Sequence, residues 1–169
     1  MNASLRIRPV EPNDLPLVQE LVFQTAHEAM EPDRPYVEFQ TQWNAWGVFD
    51  DLHDADASYV QQGGAFFVSE CDGQIIGTGA ILRYETPGTC ELKRIALKPA
   101  YRGRGFGYAL IRALMLEARA KGYQRMVLWT NRYRLTRAVA LYQQMGFVEF
   151  PHDGADWDVI WMERDLCDR

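Results

Sequence analysis

Apolar and polar residues alternate along Leu5-Arg6-Ile7-Arg8, which predicts a first strand. The period then changes. Leu17, Val18, Leu21, Val22 and Thr25 fall on one face of a helix that starts near Pro16, with Asn13 or Asp14 as its cap, and ends before Glu31-Pro32-Asp33. Pro35 suits the first turn of a second helix carrying Phe39, Trp43 and Trp46 and ended by Gly47. A third helix is expected between Asp51 and Gln62, closed by Gly63-Gly64. From Ala65 the pattern is that of strands: residues 65–70, then 75–84 across the hairpin signal Asp72-Gly73, then 91–97 after Thr86-Pro87-Gly88. In the third of these runs the alternation breaks around Arg94-Ile95-Ala96, which predicts a β-bulge.

Helical spacing returns at Tyr108, with Leu110, Ile111, Leu114, Met115 and Ala118 on one stripe and Lys121-Gly122 at its end. A strand over 126–130 follows. Then come a helix over 136–145 with Ala138, Leu141, Tyr142 and Met145 on one face, and strands over 147–150 and 159–163. Strands and helices in this order predict a mixed α/β fold, and 169 residues suit one domain, 1–169.

Bulk properties remove several classes. The N-terminal MNASLRIRPV lacks the apolar run of a signal peptide and no stretch reaches spanning length, so a cytoplasmic protein without a membrane partner is expected. Cys71, Cys90 and Cys167 are widely spaced and form no CxxC pair, which points to reduced thiols and no metal. Charge is unevenly divided. Residues 1–89 hold fourteen Asp and Glu against four Arg, while Lys93 to Arg137 holds twelve Lys and Arg against the single Glu117. Such a basic block raises a nucleic-acid reading. Against it, the block has the apolar faces of folded elements and surrounds a glycine-rich loop.

That loop, Arg102-Gly103-Arg104-Gly105-Phe106-Gly107, lies between a strand and a helix N-terminus. Glycines there let successive backbone N–H groups converge, and the helix dipole adds positive potential, so a pyrophosphate is the natural ligand. The spacing fits neither a P-loop nor a dinucleotide fingerprint. It fits R-x-x-G-x-G through Arg102, Gly105 and Gly107, and resembles the acetyl-CoA loop of the GNAT acyltransferase superfamily. Two further stretches carry the resemblance: ELKRIALKP before the loop is similar to the family's fourth strand, and Leu141 to Phe147 to its LYxxxGF segment.

The resemblance implies a central, mostly antiparallel sheet with splayed fourth and fifth strands and helices on both faces. It implies acetyl-CoA as cosubstrate, held by Ile95, Ala96, Leu97, Arg102, Gly103, Arg104, Gly105, Phe106, Gly107 and Tyr108. An N-acetyltransferase is then expected, working by direct transfer to a primary amine of a small molecule or peptide, with a homodimer as one assembly open to it. A CoA-binding sensor without turnover is the alternative.

Acyl transfer to an amine needs a base, because an alkylammonium with a pKa near 10 must lose a proton before it attacks. Glu91 occupies the place where the resembling family often has that carboxylate, and Tyr142 its general-acid position. Backbone N–H groups freed by a bulge near Ile95 to Leu97 can hold the developing oxyanion. One departure is visible: where many members carry Asn seven residues before the tyrosine, this chain has Leu135, and the nearest asparagine is Asn131. Cys90, beside Glu91, reads as a buried thiol rather than an acyl carrier. For the acceptor, Trp43, Trp46 and Phe49 stand among acids that include Glu28, Glu31, Asp50 and Asp51. They form either a site for a cationic or flat amine or an ordinary aromatic core with solvated helix faces.

Overall fold

A computed structural model describes residues 4–167. Seven strands, β1 (Leu5–Pro9), β2 (Ala65–Cys71), β3 (Gln74–Arg83), β4 (Thr89–Leu97), β5 (Arg125–Asn131), β6 (Val148–Phe150) and β7 (Val159–Asp165), form one sheet in the order β1-β2-β3-β4-β5-β7-β6. Asp72 and Gly73 both take positive φ, 50° and 78°, which is the geometry of a tight two-residue hairpin turn and sets the β2–β3 register. All neighbours are antiparallel except β4 and β5. Those two run parallel and pair only at Thr89–Glu91 with Arg125–Val127. Beyond that point β4 continues to Leu97 and β5 to Asn131 without pairing, so the strands part.

Four helices cover the sheet: α1 (Leu15–Met30) and α2 (Tyr36–Ala45) on one face, α3 (Phe106–Ala120) and α4 (Thr136–Gln144) on the other. The stripe read from the sequence, Leu110, Ile111, Leu114, Met115 and Ala118, is the buried side of α3 and meets Ile81, Cys90, Leu92, Met126 and Leu128. Fully burying one such leucine or isoleucine is worth about 1.5–3 kcal/mol, so this packing fixes where α3 begins. On the opposite face Val18, Leu21, Val22 and Phe39 pack on Phe66, Val68, Ala80 and Ala96. Asp14 does not cap α1 with its side chain. It accepts Arg8 at 2.6 and 3.1 Å and the Glu11 N–H at 2.8 Å, and the guanidinium holds its carboxyl below the usual carboxylate range.

The expected bulge is present. Thr78 faces Ala96 and Ala80 faces Lys93, so Gly79 alone opposes Arg94 and Ile95. A side chain at Gly79 would come within 2.6 Å of Ile95 and 2.8 Å of Leu114. Arg94 takes φ 56°. The extra residue inverts the alternation, so Leu92 and Ile95 pack toward α3 while Ala96 lies in the opposite layer beneath α1.

Arg94 also explains why the helix expected over 51–62 does not form as such. Its guanidinium grips Asp51 at 2.9 and 2.5 Å, donates to the Val48 carbonyl at 3.0 Å and lies 4.7 Å over the Phe49 ring, while the Tyr59 hydroxyl also binds Asp51. With Asp51 tied down and Leu52, Ala55 and Tyr59 all buried, the stretch divides into a 3-10 turn at Asp50–Leu52 and a π-helical turn at Asp56–Val60. Asp51→Ala is expected to cost about 2 kcal/mol, less than for a fully buried pair because both side chains keep some exposure; chemical denaturation measures it.

Candidate active site

The parting of β4 and β5 leaves an edge of β4 without a strand partner from Leu92 to Leu97, on the stretch that contains the bulge. Lys98 turns back to the Ile76 carbonyl at 2.8 Å, and a short turn at Pro99–Tyr101 leads into the glycine loop. Gly103 and Gly105 have φ 74° and 82°, and Gly105 is the residue from which α3 starts. These are conformations that side-chain-bearing residues seldom take. A Cβ built on either meets nothing within 4 Å, so the loop is an open cradle at a helix N-terminus. That cradle fits a pyrophosphate.

The two arginines of the loop differ. Arg104 stacks over Phe106 and Tyr101 at 5.2 and 5.6 Å. Arg102 is a staple, with Nε on the Leu97 carbonyl at 2.9 Å and Nη2 on Glu28 of α1 at 2.8 Å. Phe106, Gly107 and Tyr108 form the first turn of α3, where a Cβ on Gly107 would touch Leu141 at 3.4 Å. This contact brings the start of α3 against α4, next to Tyr142.

Tyr142 is 7% exposed, edge-on to Phe147, and burial pushes its phenol up to about 12, so it is neutral at physiological pH. It belongs to the apolar layer of α3 and α4. Glu91 pairs with Leu82, whose side chain packs in the α1 layer, so Glu91 is on the other side of the sheet. Its nearest charged partner is Lys93 at 3.4 Å. The two residues expected to move protons thus flank the opening between β4 and β5 from opposite faces. Cys90 is completely buried and burial pushes its thiol up to about 12, which leaves it unreactive.

Much of the basic block is paired within the fold. Lys93 meets Glu91, Arg94 meets Asp51, Lys121 meets Glu117, Arg125 meets Glu163 and Arg132 meets Glu149. These five basic side chains therefore lie against carboxylates of the fold itself. The acceptor-side aromatics separate in a similar way. Trp43 stacks at 4.6 Å on Phe39 and gives its indole N–H to Glu31 at 3.1 Å, and Phe49 is buried against Phe23. Trp46 is exposed. Sequence reasoning missed other aromatics. On the α1 side of the sheet Trp129 follows Val127 along β5 past the point of parting, and Tyr133 and Trp157 stand exposed 5.7 Å apart in the loops beyond. Trp129 had a strand period to announce it, but nothing local in the sequence signals its exposure.

The model of the acetyltransferase (GNAT) family matches residues 23–147. The chain belongs to this family. GNAT enzymes use acetyl-CoA as cosubstrate. Among curated proteins the chain is 36% identical over 106 residues to N-acetyltransferase family 8 member 2 of Rattus norvegicus, covering 60% of this chain and 46% of that protein. It is 37% identical over 91 residues to the uncharacterized N-acetyltransferase YjgM of Escherichia coli, covering 53% and 54%. The match therefore spans about half the length of these relatives. The fold is similar to that of the PaiA N-acetyltransferase from Thermoplasma acidophilum in complex with coenzyme A, with a TM-score of 0.79, 20% identity, and 96% and 99% of the two chains covered. It is also similar to YncA from Salmonella typhimurium with acetyl-CoA, with a TM-score of 0.69, 23% identity, and 98% and 96% covered.

In this GNAT chain Leu135 supplies only the backbone start of α4. Asn131, four residues before Leu135, is taken up by the local turn. Its Oδ1 accepts the N–H groups of Tyr133 and Arg134 at 3.0 and 2.8 Å, and its Nδ2 donates to Asp158 at 2.9 Å, fixing the turn before α4. Among the described residues no group of His, Cys, Asp and Glu is arranged to hold a metal, and no helix is long and apolar enough to cross a membrane.

Proposed function

We propose that this chain, as one acetyltransferase domain over residues 1–169, transfers an acetyl group from acetyl-CoA to a primary amine of a small molecule or peptide by direct attack in a ternary complex. The observation that carries the reading is the parting of β4 from β5 after Glu91, which leaves the bulged end of β4 unpaired by β5 ahead of an open glycine cradle. Backbone N–H groups of residues 103–108 would hold the pyrophosphate, and the freed edge at Ile95, Ala96 and Leu97 would align the thioester and its developing oxyanion. Bound acetyl-CoA supplies an activated acyl group. Glu91 receives the ammonium proton from the α1 side, which makes the amine nucleophilic. Tyr142, neutral and buried on the α3 and α4 side, gives its proton to the departing sulfur. Trp46, with Trp43 and Phe49 behind it, borders the acceptor side.

Thiol release from acetyl-CoA with a panel of polyamines, aromatic amines, amino acids and peptide N-termini tests the reading. CoA binding without turnover on any of these amines would favour a sensor instead. Glu91→Gln is expected to lower the rate by roughly 30-fold at neutral pH and by less at alkaline pH, where free amine is more abundant. A pH–rate profile superimposable on that of the unaltered protein would reassign Glu91 to structure.

A further inference from the structure

The β3–β4 register sets Tyr84 beside Glu91. Leu82 is opposite Glu91, and Tyr84 gives its N–H to the Thr89 carbonyl at 3.0 Å. Alternation along both strands puts Leu82, Tyr84 and Glu91 on one face, with Tyr84 the diagonal neighbour of Glu91. From the turn after β6, His152 brings Nε2 to 2.8 Å from the Tyr84 hydroxyl oxygen. The imidazole is held by stacking on Trp161, 3.8 Å between centroids and 21° between planes. Nothing in the proposed reaction uses this pair.

The protonation of His152 follows from its second nitrogen, which is 2.9 Å from the backbone nitrogen of Gly154. A backbone N–H only donates, so Nδ1 is the acceptor and the neutral ring carries its proton on Nε2. That proton is donated to the Tyr84 oxygen. The hydrogen of the phenol is then not shared with the histidine. Burial, with the carboxylates of Glu85 and Glu91, raises the Tyr84 phenol above its ordinary value, so it keeps this hydrogen through the neutral range. The other charges here are Lys93 beside Glu91, and Arg125 paired with Glu163.

We infer that Tyr84, with its hydroxyl direction set by His152, is a positioning residue for Glu91. The inference rests on the reading of Glu91 as the base. The phenol presents the positive end of its O–H dipole to the carboxylate and keeps it in the orientation that receives the amine's proton. His152 stands one step further back, its tautomer locked by Gly154.

Tyr84→Phe is expected to lower kcat by about tenfold at neutral pH and to move the acid limb of the pH–rate profile to higher pH, with acetyl-CoA affinity unchanged. His152→Phe keeps a ring against Trp161 and should give the same loss, while His152→Gln, which retains an N–H donor, recovers part of it. Because the two act as a unit, Tyr84→Phe/His152→Phe should cost no more than either alone. Nitrogen-15 spectra of the imidazoles, with the His152 signals identified by their loss in His152→Phe, should show the Nε2–H form. An unmoved profile in Tyr84→Phe, additive losses, or the Nδ1–H form would each overturn the inference. Glu91→Gln, run in parallel, separates the two readings. If it removes the acid limb while Tyr84→Phe leaves it in place, only the role of Tyr84 fails; if Glu91→Gln itself changes nothing, the base fails and Tyr84 with it.

Discussion

Gly105→Val is expected to weaken CoA binding by about 100-fold while the protein remains folded. The space around Gly105 is open, so a clash within the protein is not the cause. The cause is the backbone. At φ 82° a β-branched residue is strained, and relief of that strain turns the N–H groups at the start of α3 away from their common focus. Any side chain that tolerates the strain still projects into the cradle where a pyrophosphate would approach. Gly105→Ala, smaller and less strained, should fall between. Arg102→Ala should lose less affinity than Gly105→Val, because Arg102 already has the Leu97 carbonyl and Glu28 as partners. Calorimetry with CoA on variants of checked thermal stability decides the matter, and unchanged affinity in folded Gly105→Val would remove the loop from the cofactor site.

Tyr142→Phe should lower kcat by about 100-fold, toward the lower end for a positioned proton donor because a thiolate is a fairly good leaving group. Phenylalanine keeps the ring against Phe147 and removes only the hydroxyl. A tyrosine that merely packed would lose little activity. Acetyl-CoA affinity should hardly change, since the hydroxyl acts on charge that develops after the ground state. Because burial pushes the phenol up to about 12, activity should show no loss from ionisation of Tyr142 as pH rises through 9. Near-normal kcat in Tyr142→Phe, measured where chemistry limits the rate, would leave solvent or the amine's own proton to serve the sulfur.

The elements that local periodicity encodes were legible in the sequence, and those set by distant partners were not. The α3 stripe, the Asp72-Gly73 turn and the broken alternation at Arg94 each show within a few residues, and the structure has a helix, a hairpin and a bulge there. The failure over 51–62 has the opposite character, since Asp51 answers to Arg94, 43 residues away. The same holds for Asp14, turned from capping by Arg8. By sequence Trp43 and Phe49 suit either a site or a core, and only their packing partners place both in the apolar layer. Tyr84 and His152, 68 residues apart, carry no local signature at all.

The bulge also bears on how this protein's acceptor preference can be changed. Arg94, the bulge residue with φ of 56° on the stretch of β4 that β5 does not pair, is the same residue that clamps Asp51 and Val48 of the segment after α2. Remodelling residues 48–59 to admit a different amine would therefore disturb the backbone expected to align the thioester. A library aimed at new acceptors would do better to keep Asp51 and Arg94 fixed as a couple. It would vary positions that the clamp does not reach, such as exposed Trp46 on one side and Trp129, Tyr133 and Trp157 on the other.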